Sequence, residues 1–508
     1  MGDFRRLVFA AVSVALLGAA CGDAGVANNA KGGSDGAPVV PRDTSTAAPL
    51  GAFRHGMNSG HVNASWTDND DGWLGAQAGA DSNRIKLPEY FLQQWGAGVR
   101  VDAAKSYQQN GMSNLVCFLI GPSREHSSAS SGTPDWQLDE YMPTHLYEPI
   151  FDASGQVNPA NTWAKYVETT VSTYKPWVRI WEVWNEPDWT PDWQVTQQWA
   201  TRAPSKADLP RFNGSVFDYL RMLRVTYAVV KKTDPTAQVA LGGIGYPTFL
   251  SALLRYTDNP EGGGVTAAYP DKGGAYFDVL NFHYYPLYTA GNSDAAVAGM
   301  LKLKDEFASE LSKAGVSGKS WNITETGAPR ASFGGMPGGD EYARNYLLKV
   351  MLEAQLRGML GIDWFLLSDG KAPGASQDPY DHMGLYEYIG QLKSKEEARK
   401  TSIGVAYSTL GVLLKGASVD AAASAALSLP AGTGGGAFKT ATGRTMLALW
   451  AKADQGESAA QTLQVQALGD VAVYAWDHAQ TTKSAMAKAN NGVVQLSLTS
   501  TPQFFLMP

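Results

Sequence analysis

A chain of 508 residues can bury more than one hydrophobic core, and 44% apolar content is that of a globular protein rather than a disordered one. A net charge of -7 with a pI near 5.6 argues against nucleic acid and anionic membrane surfaces as partners. With only Cys21 and Cys117, the fold cannot be a disulfide scaffold and must rest on its core.

The N-terminus reads as an export signal. Arg5 and Arg6 precede an apolar run over 7–17, too short to span a bilayer, and the small residues Gly18-Ala19-Ala20 lead to Cys21. The pattern resembles a bacterial lipoprotein signal, which implies a lipid anchor at Cys21 and a place in the cell envelope. An ordinary secretory signal and a secreted protein are the alternative. Residues 22–50 are Gly, Ala, Asn, Ser, Pro and Asp and read as a flexible tether. The predicted division is therefore 1–21 signal, 22–50 tether, 51–416 a large first domain and 417–508 a second domain.

From residue 53 strand and helix patterns alternate. Strands are predicted over 53–58, 82–87, 114–120, 178–185, 238–244, 276–285, 320–324 and 361–367. Helical spacing appears over 162–174, 217–232, 295–314, 341–359 and 402–415. Eight such strands with helices between them predict a (β/α)8 barrel. The rival, a doubly wound sheet, lacks support: Gly56-Met57-Asn58-Ser59-Gly60 is not a dinucleotide fingerprint. After about residue 418 the helical spacing stops. Strand-like runs over 445–450, 462–468, 471–476 and 493–498 predict a small antiparallel β-sandwich.

Two glutamates sit at predicted strand ends. Glu186 closes Trp181-Glu182-Val183-Trp184-Asn185-Glu186 and is followed by Pro187; Glu325 closes Trp321-Asn322-Ile323-Thr324-Glu325 and is followed by Thr326-Gly327. In such a barrel the active site lies at the C-terminal strand ends. Two carboxyls there suit glycosidic-bond cleavage, one protonating the leaving oxygen and the other attacking carbon or activating water. Strict alternation puts Glu182, Trp184 and Glu186 on one face, Trp321, Ile323 and Glu325 on another, and Asn281, His283 and Tyr285 on a third. Tyr285 is then placed to hold Glu325 ionised, Arg84 at the end of the second strand can do the same electrostatically, and Glu182 reads as a buried partner of Arg84 or of a backbone group rather than a catalytic acid. Of the tryptophans around Glu186, Trp177, Trp181 and Trp199 read as core, whereas Trp189 and Trp193 lie in a loop and suit stacking on a sugar ring. No metal-ligand spacing occurs, and neither a metal nor a cofactor is expected.

The run from Trp181 to Asp188 resembles the acid/base motif of the clan A glycoside hydrolases, and its Glu-x-Trp-Asn-Glu-Pro-Asp form is most similar to family 39. The resemblance implies a (β/α)8 barrel and a retaining, double-displacement cleavage of β-glycosidic bonds in a polysaccharide or oligosaccharide. It implies Glu186 as acid/base, Glu325 as nucleophile and Asn185 as reader of the neighbouring sugar hydroxyl. It further implies that Tyr285 contacts the nucleophile and that Trp364, on the eighth strand, forms the sugar platform. The rivals are a catalytically silent carbohydrate-binding protein and a transglycosidase on the same scaffold.

Overall fold

Eight strands, β1 (Arg54–Asn58), β2 (Ser82–Lys86), β3 (Leu115–Leu119), β4 (Val178–Val183), β5 (Gln238–Leu241), β6 (Val279–Tyr284), β7 (Ser320–Thr326) and β8 (Gly361–Trp364), pair in parallel in chain order. β8 pairs with β1, so the sheet closes into a barrel and has no free edge. The computed structural model describes residues 52–59, 63, 66–288 and 291–508. The predicted signal over 1–21, including Cys21, and the tether over 22–50 lie outside the described residues.

Helices α1 (Asp68–Ala78), α2 (Glu89–Trp95), α3 (Val101–Gln109), α4 (Thr162–Tyr174), α5 (Val216–Thr233), α6 (Pro247–Arg255), α7 (Ser293–Lys313), α8 (Asp340–Leu356) and α9 (Ser402–Leu414) connect the strands or follow the last of them. Their starts are fixed locally. Asn161 accepts a hydrogen bond from Ala164 N at the head of α4, and Ser215 and Asp218 form a capping box at the head of α5. Alternation along β4 sends Trp181 and Val183 into the helix layer, where both are fully buried, and turns Ile180 and Glu182 inward.

The barrel interior is divided. Val116, Ile180, Ala240 and Val279 form an apolar plug on β3 to β6. The opposite side carries Arg54, Asn322 and Asp363, and Arg54 Nη2 donates to Asn322 Oδ1 at 2.8 Å. Burial pushes the Asp363 carboxyl up to about 7 against the pull of Arg54 and Arg84. Gly56 makes room for it: a Cβ there would lie 2.0 Å from Asp363 Oδ1.

Beyond the barrel, β9 (Ser418–Val419), β10 (Thr433–Lys439), β11 (Thr445–Ala451), β12 (Ala460–Gln466), β13 (Val471–Tyr474), β14 (Ala485–Ala487), β15 (Ala489–Asn490), β16 (Val493–Thr499) and β17 (Gln503–Leu506) form two antiparallel sheets. One has the order β14-β13-β17-β11-β10-β9 and the other β12-β16-β15. Leu447, Leu449, Phe505, Leu463, Val494 and Leu496 make their shared core. The sandwich is joined to α7 and α8 by polar contacts. The fully buried Lys349 donates to Asp294 Oδ2 at 2.7 Å and Ser293 Oγ at 2.8 Å, while Trp450 Nε1 donates to Asp294 Oδ1 at 2.9 Å. Asn345 Nδ2 donates to Glu457 Oε2 at 2.8 Å, and Ser293 N to Glu457 Oε1 at 2.6 Å.

Candidate active site

Two departures from regular strand geometry build the mouth of the barrel. The first follows β4. Trp184 and Glu186 both adopt left-handed backbone, with φ of 73° and 47°, a conformation that non-glycine residues adopt only where their surroundings impose it. Glu186 N is tied across to Gly242 O at 2.6 Å. The turn breaks the alternation read from the sequence. Trp184 does not share the cavity face with Glu182 and Glu186. It packs between Trp163 and Phe212, with ring centroids 6.4 and 5.2 Å away, and donates from Nε1 to Arg211 O. Asn185 and Glu186 turn into the mouth instead.

The second departure is in β7. Phe282 pairs with Ile323 and His283 with Glu325, so Thr324 is an extra residue on that strand. Before the bulge, Asn322 and Thr324 point inward, where Asn322 Oδ1 meets Arg54 and Thr324 Oγ1 lies 3.2 Å from Glu182 Oε1. Trp321 packs with the helix layer beneath Lys304 of α7 and Ile323 is fully buried in the same core. Regular alternation would have sent Glu325 outward with Trp321 and Ile323. The bulge brings it into the mouth beside Thr324.

Arg84 is the hub beneath both glutamates. Its Nε and Nη2 grip Glu182 Oε2 and Oε1 at 2.8 and 2.9 Å. Nη2 also donates to Asn185 Oδ1 at 2.7 Å, and Nη1 donates to Glu325 Oε1 at 2.6 Å. Burial pulls the Arg84 pKa down, but the charges of Glu182 and Glu325 more than reverse this and keep the guanidinium charged. Tyr285 Oη donates to Glu325 Oε2 at 2.8 Å. Burial and the Glu325 charge hold that phenol protonated. Glu325 is thus held by one donor on each oxygen, which fixes the orientation of its carboxyl.

His283 links the two carboxyls. Its Nδ1 lies 2.9 Å from Glu186 Oε1 and 3.7 Å from Glu325 Oε2, and Nε2 lies 3.0 Å from Thr324 Oγ1. Gly243, at φ 61°, leaves it space, since a Cβ there would lie 2.1 Å from Nε2. Burial lowers the proton affinity of the ring, but the two carboxylates outweigh it and raise the His283 pKa. Glu186 Oε2 accepts from Arg211 Nη1 at 2.6 Å, and the Arg211 guanidinium lies 4.3 Å above the Trp189 ring. Burial raises the Glu186 pKa, yet His283, Arg211 and Arg84 together bring it below the usual carboxylate range. Asp188, fully enclosed, accepts from Gly245 N and Tyr246 N at 2.8 and 2.9 Å, and burial pushes its carboxyl up to about 7.

Of the residues singled out in the sequence, the structure brings Glu186, Glu325, Asn185, Arg84, His283 and Tyr285 into one network. Trp189 reaches it through Arg211. Trp364 does not belong to it, and the expectation of a sugar platform there is corrected. Its ring is 0% exposed, packs at 6.1 Å on Tyr346 of α8 and donates from Nε1 to Met383 O. The reason is parity: Asp363 faces the barrel interior, so Trp364 faces the helices. The next residue, Phe365, is half-buried beside Tyr285 and Tyr380, at 6.0 and 6.2 Å between centroids. Phe365, Tyr380 and Arg211 had no sequence signal of their own. Arg211 lies in irregular chain and Tyr380 in a short 3-10 turn, where periodicity carries no information, and Phe365 lies just past the end of β8, inside the run predicted as strand over 361–367.

One oxygen each from Glu186 and Glu325 and a His283 nitrogen lie within 4.8 Å of one another. All of these groups already bond within the network, to Arg84, Arg211, Tyr285, Thr324 or one another.

The architecture is shared with solved structures. A family 39 glycoside hydrolase from Bacteroides cellulosilyticus WH2 aligns with a TM-score of 0.57 at 17% identity, covering 91% of this chain and 82% of that one. The catalytic domain of a GH30 xylanase C from Talaromyces cellulolyticus aligns with a TM-score of 0.52 at 13% identity, covering 91% and 98%. A family 51 alpha-L-arabinofuranosidase from Bifidobacterium longum gives 0.51 at 11% identity, covering 91% and 97%. No family model matches the chain, and no curated protein matches it in sequence. At these identities the likeness is one of fold.

Proposed function

We propose that the protein is a retaining glycoside hydrolase that cleaves β-glycosidic bonds of a polysaccharide or oligosaccharide. The observation that carries this reading is the carboxyl pair at the C-terminal mouth, with an oxygen of Glu186 within 4.8 Å of one of Glu325. Retaining enzymes hold the two groups about 5 to 5.5 Å apart, and inverting ones leave room for a water at roughly 6.5 to 9.5 Å. The shared fold with glycoside hydrolases of families 39, 30 and 51 supports the same reading.

In the proposed cycle Glu325, steadied by Arg84 and Tyr285, attacks the anomeric carbon while Glu186 protonates the departing oxygen. The carbon–oxygen bond to the leaving group breaks and a glycosyl ester on Glu325 forms. Glu186, now ionised, then takes a proton from water as that water attacks the same carbon and frees Glu325. Asn185, held by Arg84, is placed to read the sugar hydroxyl beside the reacting carbon. Phe365 and Tyr380 offer ring faces at the edge of the same space.

The test is a pair of variants on aryl glycosides. Glu325→Ala is expected to abolish turnover. Glu186→Ala is expected to keep the first step on substrates with good leaving groups, with azide restoring turnover and yielding a β-glycosyl azide. An α-azide, or full activity in Glu325→Ala, overturns the reading. A silent carbohydrate binder would show no turnover in the wild type. We also propose export with a lipid anchor at Cys21, on the strength of the N-terminal sequence. Cys21→Ser is then expected to turn a membrane-pelleting protein into a soluble one or leave its precursor uncleaved, and a wild type already soluble in the medium overturns it.

A further inference from the structure

Both oxygens of Glu186 are held by protein side chains. Oε1 faces His283 Nδ1 at 2.9 Å and Oε2 accepts from Arg211 Nη1 at 2.6 Å. A general acid needs one oxygen that carries the proton and faces the leaving group. One partner must therefore withdraw, and the two are not equivalent. His283 is buried, bonded at its far nitrogen to Thr324 and enclosed by Gly243. Arg211 comes from the irregular segment before α5, and its side chain is 21% exposed.

Arg211 also has somewhere to go. Two residues along, Asn213 Nδ2 donates to the backbone oxygen of Glu140 at 2.9 Å, which ties the two segments together. The half-buried Glu140 carboxyl is raised by burial and feels the Arg211 charge as its main opposing influence. The Arg211 guanidinium is thus bonded to one carboxyl, acts by its charge on a second, and stacks on the Trp189 ring at 4.3 Å.

We propose that Arg211 is a positioning residue for the acid/base: it bonds Glu186 Oε2 in the empty site and in the glycosyl-enzyme, and passes to Glu140 when the leaving-group sugar enters. The inference rests on Glu186 being the acid/base. With Arg211 on Glu140, Glu186 takes a proton from solvent at Oε2 and delivers it to the departing oxygen. When the leaving group has gone, Arg211 returns and Glu186 is held ionised to receive a proton from water. That proton passes to solvent, so one is taken up and one released per turnover. The other titratable groups around Glu186 are His283, Arg84, Glu325, Asp188, Tyr246, Tyr285 and Tyr380. None of the seven lies on the segment that carries Arg211, so removing Arg211 leaves their framework in place.

The experiment needs no substrate at first. The Glu186 carboxyl is followed by carbon-13 NMR through a pH titration of the full protein, with Glu186→Gln identifying its signal. Arg211→Met is expected to move the midpoint upward by about one pH unit, as loss of an adjacent cation does. Should that variant not fold, Arg211→Gln is read in its place. A midpoint within about 0.2 unit of wild type overturns the proposal, since adjacent opposite charges shift a carboxyl by about one unit or more. With aryl and oligosaccharide substrates, the alkaline limb of kcat/KM is expected to rise in Arg211→Met and return toward wild type in Arg211→Lys. Glu140→Gln is expected to raise KM several-fold for oligosaccharides and leave small aryl substrates unaffected; equal effects on both overturn the handover to Glu140. If the wild type hydrolyses nothing, the glycosidase reading fails, while the titration still decides whether Arg211 sets the ionisation of Glu186.

Discussion

Two buried ionic networks, built from the same kinds of residue, serve different ends. At the junction of barrel and sandwich, the Lys349 side chain is 0% exposed and has the oxygens of Asp294 and Ser293 around it, with Trp450 and Ala453 closing the far side of Asp294. At the mouth the Arg84 side chain is 2% exposed, but the network around it opens outward: the Glu325 side chain, which Arg84 holds, is 14% exposed, and the Glu186 side chain, held by Arg211, is 22% exposed. The Asp294 side chain is 14% exposed, as much as Glu325, but Trp450 Nε1 and Ala453 N cover both of its oxygens. The mouth holds charged oxygens where a ligand can reach them. Burying a charge pair costs desolvation in both places, and a pair is strongly needed only in the sense that losing one member strands the other. What marks the mouth off is a second and more exposed carboxyl, Glu186, beside the first.

That contrast can be broken by experiment. The largest effect is expected at the junction. Asp294→Ala leaves Ser293 Oγ as the one hydrogen-bond partner of the Lys349 ammonium, with Glu457 as the nearby countercharge, and removes the acceptor of Trp450. Stranding a buried charge costs about 3–5 kcal/mol, so the melting temperature should fall by several degrees while kcat at moderate temperature stays close to wild type. A large loss of kcat with unchanged melting would mean that the junction communicates with the mouth.

The adjacent residues Trp364 and Phe365 sharpen the same comparison within one turn of chain. Trp364→Ala empties a fully buried site against Tyr346, and such truncations cost about 3–5 kcal/mol. Phe365→Ala removes a half-buried ring beside Tyr285 and Tyr380. It is expected to lower catalytic efficiency while costing far less stability. Thermal melts and kinetics on both variants settle which ring meets the sugar, and the reverse pattern would restore the platform to Trp364.

The sequence carried the barrel well because its signals are local. All eight strands begin within three residues of their predicted starts, and the helix Thr162–Tyr174 falls where its spacing placed it. Helix α1 escaped notice because Asp68-Asn69-Asp70-Asp71-Gly72 offers no apolar stripe, and β10 because Thr433-Gly434-Gly435-Gly436 reads as loop. Among the candidate site residues on strands, His283 was placed by alternation and Arg84 by its position toward the end of its strand. Alternation failed at Trp184, where the backbone turns left-handed, and at β7, where Thr324 is an added residue. Glu325 reached the mouth although the parity argument for it was wrong: the bulge reversed its face. Such irregularities arise from contacts between distant segments, such as Glu186 N to Gly242 O, and no local pattern encodes them.

The smallest of the expected effects is the sharpest test of the mouth as a site rather than a joint. Tyr285→Phe removes one oxygen and nothing else. The ring still packs against Tyr380 and Phe365, and Glu325 keeps its bond from Arg84 Nη1 at 2.6 Å. What is lost is the Tyr285 Oη donation to Glu325 Oε2 at 2.8 Å. A hydrogen bond to a charged group is worth about 1.5–3 kcal/mol, which corresponds to roughly 10- to 100-fold in rate if the bond is needed to aim the carboxylate in the transition state. Because Glu325 is partly open to solvent, water can take the place of the phenol in the resting protein. The melting temperature should then change by no more than about 2 °C, within the usual range for a substitution that opens no cavity. A loss of stability on the scale of Asp294→Ala, with catalysis intact, would make the Tyr285–Glu325 bond a structural tie and erase the distinction between the two networks.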